Sequence, residues 1–183
     1  MNAKTPLDET HRRVRRFALT GEALALAGIA VVVIYEIYLW TDPAAMLEYL
    51  KRGVPELANV PTGDLVFAAW LADLAPVALF LFAMWSVVRL FRLLRSARVF
   101  HPDVPVLLTR IGHLAFASAV AGVVARTVIA LALTSGNPPG QRQLVISISS
   151  GDITSVITGL LLLVFAHVMR EALRIDEENR TFL

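Results

Sequence analysis

Four stretches of this chain, roughly 17–40, 64–88, 107–134 and 149–169, are each long and apolar enough to cross a lipid bilayer. A crossing takes about 20 predominantly apolar residues, because the hydrocarbon core is about 30 Å thick and a helix rises about 1.5 Å per residue. Inside that core every backbone donor and acceptor must be satisfied within its own segment, which restricts a chain of this kind to spanning helices. Composition agrees, with 56% apolar residues, only 17% charged residues and a mean hydropathy of +0.64. An ordinary soluble domain carries about 25% charge. With 183 residues, four spans leave little material for a soluble domain. The expected architecture is all-α, an integral membrane four-helix bundle forming a single transmembrane domain over 1–183.

The first stretch also has the outline of a signal peptide, with "HRRVRR" at 11–16 followed by "ALALAGIAVVVIY". Glu36, Tyr38 and Trp40 stand where small residues should mark the cut, so the segment is expected to stay in the mature protein. Orientation follows from Lys and Arg, which concentrate on the cytoplasmic side. With both termini inside, thirteen of the 17 basic residues are cytoplasmic: Lys4, Arg12, Arg13, Arg15, Arg16, Arg89, Arg92, Arg95, Arg98, Arg110, Arg170, Arg174 and Arg180. Three, Lys51, Arg52 and Arg142, are outside, and Arg126 is within the third span. The chain is therefore read as N-in/C-in, with Tyr35, Tyr38 and Trp40 at the outer interface and Trp85 near the inner one. The arginines lie where topology puts them, so no direct nucleic-acid binding is expected. The absence of cysteine excludes a disulfide, a thiolate metal site and a cysteine nucleophile.

Lipid tails are as apolar as Leu, so the helices must associate through close packing and polar contacts. Ala117, Ala121 and Ala125, with Ser118 and Gly122, make a smooth stripe on the third span, and Gly21, Ala25 and Gly28 do so on the first. Pro76, in the middle of the second span, cannot donate to the carbonyl of Ala72 and is expected to kink that helix.

Ionisable groups within spans are costly unless paired, and they are the default candidates for function. Glu36, Asp73, Arg126 and Asp152 lie toward the outer side and are read as one intramembrane polar cluster, with Arg126 beside Asp73 or Glu36. Glu22, His113 and His167 lie toward the inner side. The two histidines have the chemistry of axial haem ligands, or with Glu22 of a metal site, but nothing in their spacing demands either, and no cofactor is expected. No hydrolase elbow, phosphate loop, zinc-protease motif or dinucleotide fingerprint is present, nor the paired broken spans of many transporters. The chain is read as non-enzymatic.

Two cytoplasmic extensions carry charge at helical spacing. In "VVRLFRLLRSARVF", within the 89–106 loop region, Arg89, Arg92 and Arg95 recur every three residues among apolar neighbours, followed by Arg98 and a helix-breaking "HPDVP". Pro105 suits the first turn of the third span. In the tail, 170–183, Glu171, Arg174, Glu177, Glu178, Asp176 and Arg180 fall three or four residues apart, so the fourth helix is expected to continue beyond the membrane on its own ion pairs. Val168, Ala172, Ile175 and Phe182 form an apolar stripe expected to pack on the protein's own loops, or otherwise to dock a partner.

The stretches "RLFRLLRSARVFHPDVPVLLTRIGHLA" at 89–115 and "LLLLVFAHVMREALRIDEENRTFL" at 160–183 resemble a bacterial four-span membrane family, domain of unknown function 2975 (DUF2975). Arg170, Glu171, Arg174, Glu177, Glu178 and Asn179 match its closing segment. The resemblance implies no established activity. It implies a membrane partner for small helix-turn-helix regulators of the Xre type, which are often encoded beside such proteins. His101, Val104 and "PVLL" depart from the paired arginines that many relatives carry in the inner loop. The reading that follows is an inner-membrane regulatory protein whose Arg-rich loop and tail dock such a regulator, with the outer cluster as a sensing input. An accessory subunit of a larger membrane complex and a small haem-binding redox protein are the alternatives.

Overall fold

The computed structural model describes residues 6–53, 63–96, 101–135 and 146–181, with side chains at 14–49, 63–96, 101–135 and 146–178. The described residues form five helices: α1 (Pro6–Thr41), α2 (Pro43–Gly53), α3 (Gly63–Arg95), α4 (Asp103–Thr134) and α5 (Ser150–Thr181). There is no strand among the described residues. Four helices are long and apolar enough to span a membrane, over Val14–Thr41, Gly63–Arg95, Asp103–Thr134 and Ser150–Glu178. These match the four stretches legible in the sequence, and the molecule is a multi-pass helical membrane protein.

The helices outrun the bilayer. At about 1.5 Å per residue, the 33 residues of α3 and the 32 of α5 each reach roughly 50 Å, against a hydrocarbon core of about 30 Å. The surplus is the Arg-bearing end of α3 and the charged tail of α5, so both extensions are continuous with their spans. Helix α3 runs unbroken through Pro76. Helix α4 starts at Asp103, whose N–H donates to His101 Nδ1 at 3.2 Å, and Pro105 is buried in its first turn.

Helix α2 is an addition to the expected spans, although its start carries a standard signal. Asp42 Oδ1 accepts the N–H groups of Ala44 (2.9 Å) and Ala45 (3.3 Å), and Pro43 occupies the first helical position, where its missing N–H costs nothing. The helix is amphipathic, and Met46 is 5% exposed.

Interior and exterior are divided by size. Of the sixteen buried apolar residues among those described, eight are Ala, while Phe17, Leu24, Val31, Ile34, Leu160 and Phe165 stand exposed. That distribution suits helices solvated by lipid, where backbones approach through small residues and large side chains face acyl chains.

By contacts the chain divides into two compact units, and α1, α3, α4 and α5 each contribute to both. One takes α1 as far as Ala30, α3 from Leu81, α4 as far as Leu114 and α5 from Thr158. Within it α4 and α5 approach each other closely. A Cβ at Gly112 would lie 2.8 Å from the backbone carbonyl oxygen of Gly159, so only glycine permits this approach. Leu163 packs at the same place, Ala166 is fully buried, and Arg170 Nη2 donates to Thr109 Oγ1 at 2.7 Å. Gly159, Leu163, Ala166 and Arg170 therefore form the α5 side of one seam. The small residues singled out on α1 behave unequally. Gly21 faces the ring of Phe91, whereas a Cβ at Gly28 would meet nothing within 4 Å.

The other unit takes the rest of α1, all of α2, α3 as far as Phe80, α4 from Ala115 and the start of α5. Its core is Met46, Ala69, Ile129, Ala130 and Leu133, with Tyr49, Leu65, Val66, Trp70 and Ala72 packed against it. At the end of α1, Trp40 packs against α3 aromatics, 4.3 Å from Trp70 and 6.2 Å from Phe67 between ring centroids.

Candidate functional site

Glu36, Asp73, Arg126 and Asp152 do not meet as one cluster with Arg126 beside Asp73 or Glu36. They form two pairs. Arg126 on α4 bonds through Nη2 to Asp152 Oδ2 and, at 3.4 Å, to the carbonyl of Ser147. Asp152 is in the first turn of α5, where it forms a reciprocal cap with Ser149. Ser149 N–H (2.7 Å) and Oγ (2.8 Å) both donate to Asp152 Oδ2, and Asp152 N–H donates to Ser149 Oγ at 3.2 Å. Gly122 makes room for this pair, since a Cβ there would come within 3.3 Å of Arg126 Nη1 and 3.4 Å of Asp152 Oδ1. The Nε of Arg126 is buried without a partner among the described residues.

The second pair is carboxylate with carboxylate. Asp73 on α3 lies within electrostatic reach of Glu36 on α1, and Asp73 Oδ2 accepts a hydrogen bond from Tyr49 Oη on α2 at 2.9 Å. Burial first, and then the Asp73 charge, raise the Tyr49 hydroxyl above the ordinary tyrosine value. Sequence reasoning misses Tyr49 because it misses α2. Ser149 is within its reach, as the first residue of an S-x-x-D cap before an apolar run.

In the other unit Glu22 does not join His113 and His167. It is 9% exposed and is met by two arginines of α3, Arg92 Nε at 2.8 Å and Arg95 Nη1 at 3.3 Å. The guanidinium of Arg92 also lies 5.7 Å from the centre of the Trp85 ring. His113 and His167 are both exposed, and no group of three or more metal-ligating side chains is found among the described residues. Two members of the expected docking surface are thus engaged in holding α1, while Arg89 stands exposed. Arg98 lies outside the described residues, as do the side chains of Asn179 and Arg180 and all of Phe182.

On α5 the ion-pair ladder is present: Arg174 Nη2 meets Glu171 Oε1 at 2.7 Å and its Nε meets Glu178 Oε1 at 3.5 Å. Glu177 and Asp176 are also engaged in interactions. The apolar stripe behaves differently from expectation. Val168 is 58% and Ile175 49% exposed, and Ala172 is exposed as well. At 3.6 residues per turn these positions fall about half a turn from Gly159, Leu163, Ala166 and Arg170. The face used for packing on α4 therefore turns the stripe outward.

The sequence model of the family described as "Protein of unknown function (DUF2975)" matches residues 42–181, from the cap of α2 to the end of α5. No curated protein and no solved structure matches. A match across well over half of the chain, on a protein with four membrane-capable helices, shows that the chain belongs to the DUF2975 family.

Proposed function

We propose that this is a non-enzymatic, regulatory protein of the bacterial inner membrane, with both termini cytoplasmic, that docks a small helix-turn-helix regulator on the tail of α5. One observation carries the reading. The tail presents Val168, Ala172 and Ile175 as an exposed apolar stripe, flanked by the Glu171–Arg174–Glu178 ladder, on a helix held from its opposite face. An amphipathic helix end with one apolar stripe and ordered charges is a helix-in-groove ligand, in which apolar anchors supply affinity and the charges supply register. Arg89 extends the candidate surface, whereas Arg92 and Arg95 act in the fold through Glu22.

The test is affinity purification of the tagged full-length protein from native membranes in mild detergent, followed by mass spectrometry. The parallel samples are a deletion of 171–183 and the single variant Ile175→Asp. A helix-turn-helix protein recovered with the full chain and lost from both variants supports the proposal. Recovery of stoichiometric membrane proteins that ignores both changes overturns it and favours an accessory subunit of a larger complex.

A further inference from the structure

A cavity of about 200 Å³ opens between the end of α1 and α2, lined by Tyr35, Tyr38 and Tyr49, by apolar Leu39 and Ala45, and by Glu48. The rings of Tyr35 and Tyr49 stand at 75° with centroids 6.4 Å apart, as two adjoining walls rather than a stacked pair. Behind Tyr49 is Asp73, which accepts a 2.9 Å hydrogen bond from its hydroxyl and so makes the ring more electron-rich. Glu36 lies within electrostatic reach of both Asp73 and Tyr49. No basic side chain lines the cavity among the described residues.

Aromatic faces attract cations through the ring quadrupole, and cages of such rings with nearby carboxylates recognise alkylated ammonium groups. A metal ion would need several oxygen ligands at close range, whereas Glu48 is the one carboxylate among the described residues lining a cavity otherwise walled by rings, Leu39 and Ala45. The volume is below the roughly 300 Å³ at which pockets for drug-sized ligands begin, so the site takes a small head rather than a large molecule. Interfacial anchoring alone accounts for exposed Tyr35 and Tyr38. It does not account for Tyr49, which is turned inward onto a carboxylate of a neighbouring helix. We infer that this cavity binds a substituted ammonium group, supplied either by a small free cation or by a lipid headgroup. The inference is independent of the docking reading, because its residues belong to the other unit.

The experiment uses full-length protein in nanodiscs of phosphatidylglycerol, which has no ammonium group, titrated calorimetrically with tetramethylammonium against sodium at constant ionic strength. Saturable binding of tetramethylammonium, absent for sodium, is expected. The double variant Tyr35→Ala/Tyr38→Ala should weaken it about tenfold, and Asp73→Asn should weaken it as well, while Tyr35→Phe, which keeps the ring face, should stay within about threefold. A second arm raises the proportion of phosphatidylethanolamine. A falling apparent affinity for tetramethylammonium identifies the headgroup as the competing ligand, and an unchanged one identifies a free cation; both support the site. Non-saturable binding, binding no tighter than that of sodium, or unchanged affinity in a double variant that elutes like the parent on size exclusion would overturn it and leave the tyrosines as interfacial anchors.

Discussion

Glu22 and Asp152 each expose 9% of their surface, yet the hydrogen-bond donors that satisfy them come from different levels of structure. Asp152 finds two of its donors on Ser149, three residues away, as soon as the first turn of α5 forms. Glu22 relies on distant help: its arginines are 70 and 73 residues away, and both arrive only when α3 packs on α1. One carboxylate is satisfied by helix initiation and reinforced by Arg126, while the other is satisfied by assembly. A buried carboxylate that loses its partners is costly, and in a membrane it relieves the cost by taking up a proton.

That contrast is testable by removing cations. The largest effect should come from Arg92→Met/Arg95→Met, which strands Glu22. We expect a loss of about 2 kcal/mol, below the roughly 3–5 kcal/mol of a fully buried pair because both arginines are about half exposed. Thermal unfolding in detergent reads it, and adding Glu22→Gln should restore about half. A triple variant no more stable than the double would mean that the arginines stabilise something other than Glu22.

Arg126→Met should cost less, about 1 kcal/mol in the same assay, because Asp152 keeps both bonds from Ser149. Equal losses for Arg126 and for the Arg92/Arg95 pair would erase the distinction between a carboxylate with local hydrogen bonds and one that depends wholly on distant arginines.

Tyr49→Phe removes a single neutral donor to Asp73 and should cost about 1 kcal/mol or slightly less. Its pH dependence has a definite sign. The folded value is raised above the unfolded one, so the contribution is fully present below the ordinary tyrosine range of about 10 and is lost as pH rises through the raised folded value. The difference in melting temperature between parent and Phe variant should therefore be constant at neutral pH and shrink only in strong alkali. Shrinkage near neutrality would contradict the hydrogen bond to Asp73.

The smallest effect belongs to Arg174→Ala, a few tenths of a kcal/mol, since the ion pairs it breaks are largely exposed and salt-screened. Under the docking proposal the same variant should weaken partner recovery while leaving the melting curve almost unmoved.

What is legible in the sequence follows the same division between local and tertiary. The spans depend on runs of apolar residues, and the extensions of α3 and α5 on charge spacing, so both are readable. Capping by Asp42 with Pro43 is readable too, but the short, weakly apolar α2 escapes a search for spans, and Tyr49 escapes with it. Pairings across helices are misassigned for a physical reason. Depth along the membrane can be counted from sequence, which puts Arg126 near Asp73 and Glu36, whereas the rotation of each helix about its axis decides which carboxylate it meets. The same limit explains Glu22, whose depth suggests the histidines and whose azimuth leads to Arg92 and Arg95. The stripe at Val168, Ala172 and Ile175 is visible in the spacing, but which way it faces depends on Gly112 meeting Gly159.

The contact between Gly112 and the Gly159 carbonyl also sets a phase. With backbone on backbone at one point and Arg170 on Thr109 about three turns further along, α5 has a defined angular setting at the start of its tail. One residue inserted between Ala166 and Arg170 would turn everything beyond it by about 100°, carrying Arg170 away from Thr109 and swinging Ile175 around the helix, with no side chain altered. Four inserted residues would turn it by only about 40° and would displace the tail along its axis by about 6 Å. A partner that reads the direction of the stripe should tolerate the second insertion better than the first, and one that reads only charge should not distinguish them.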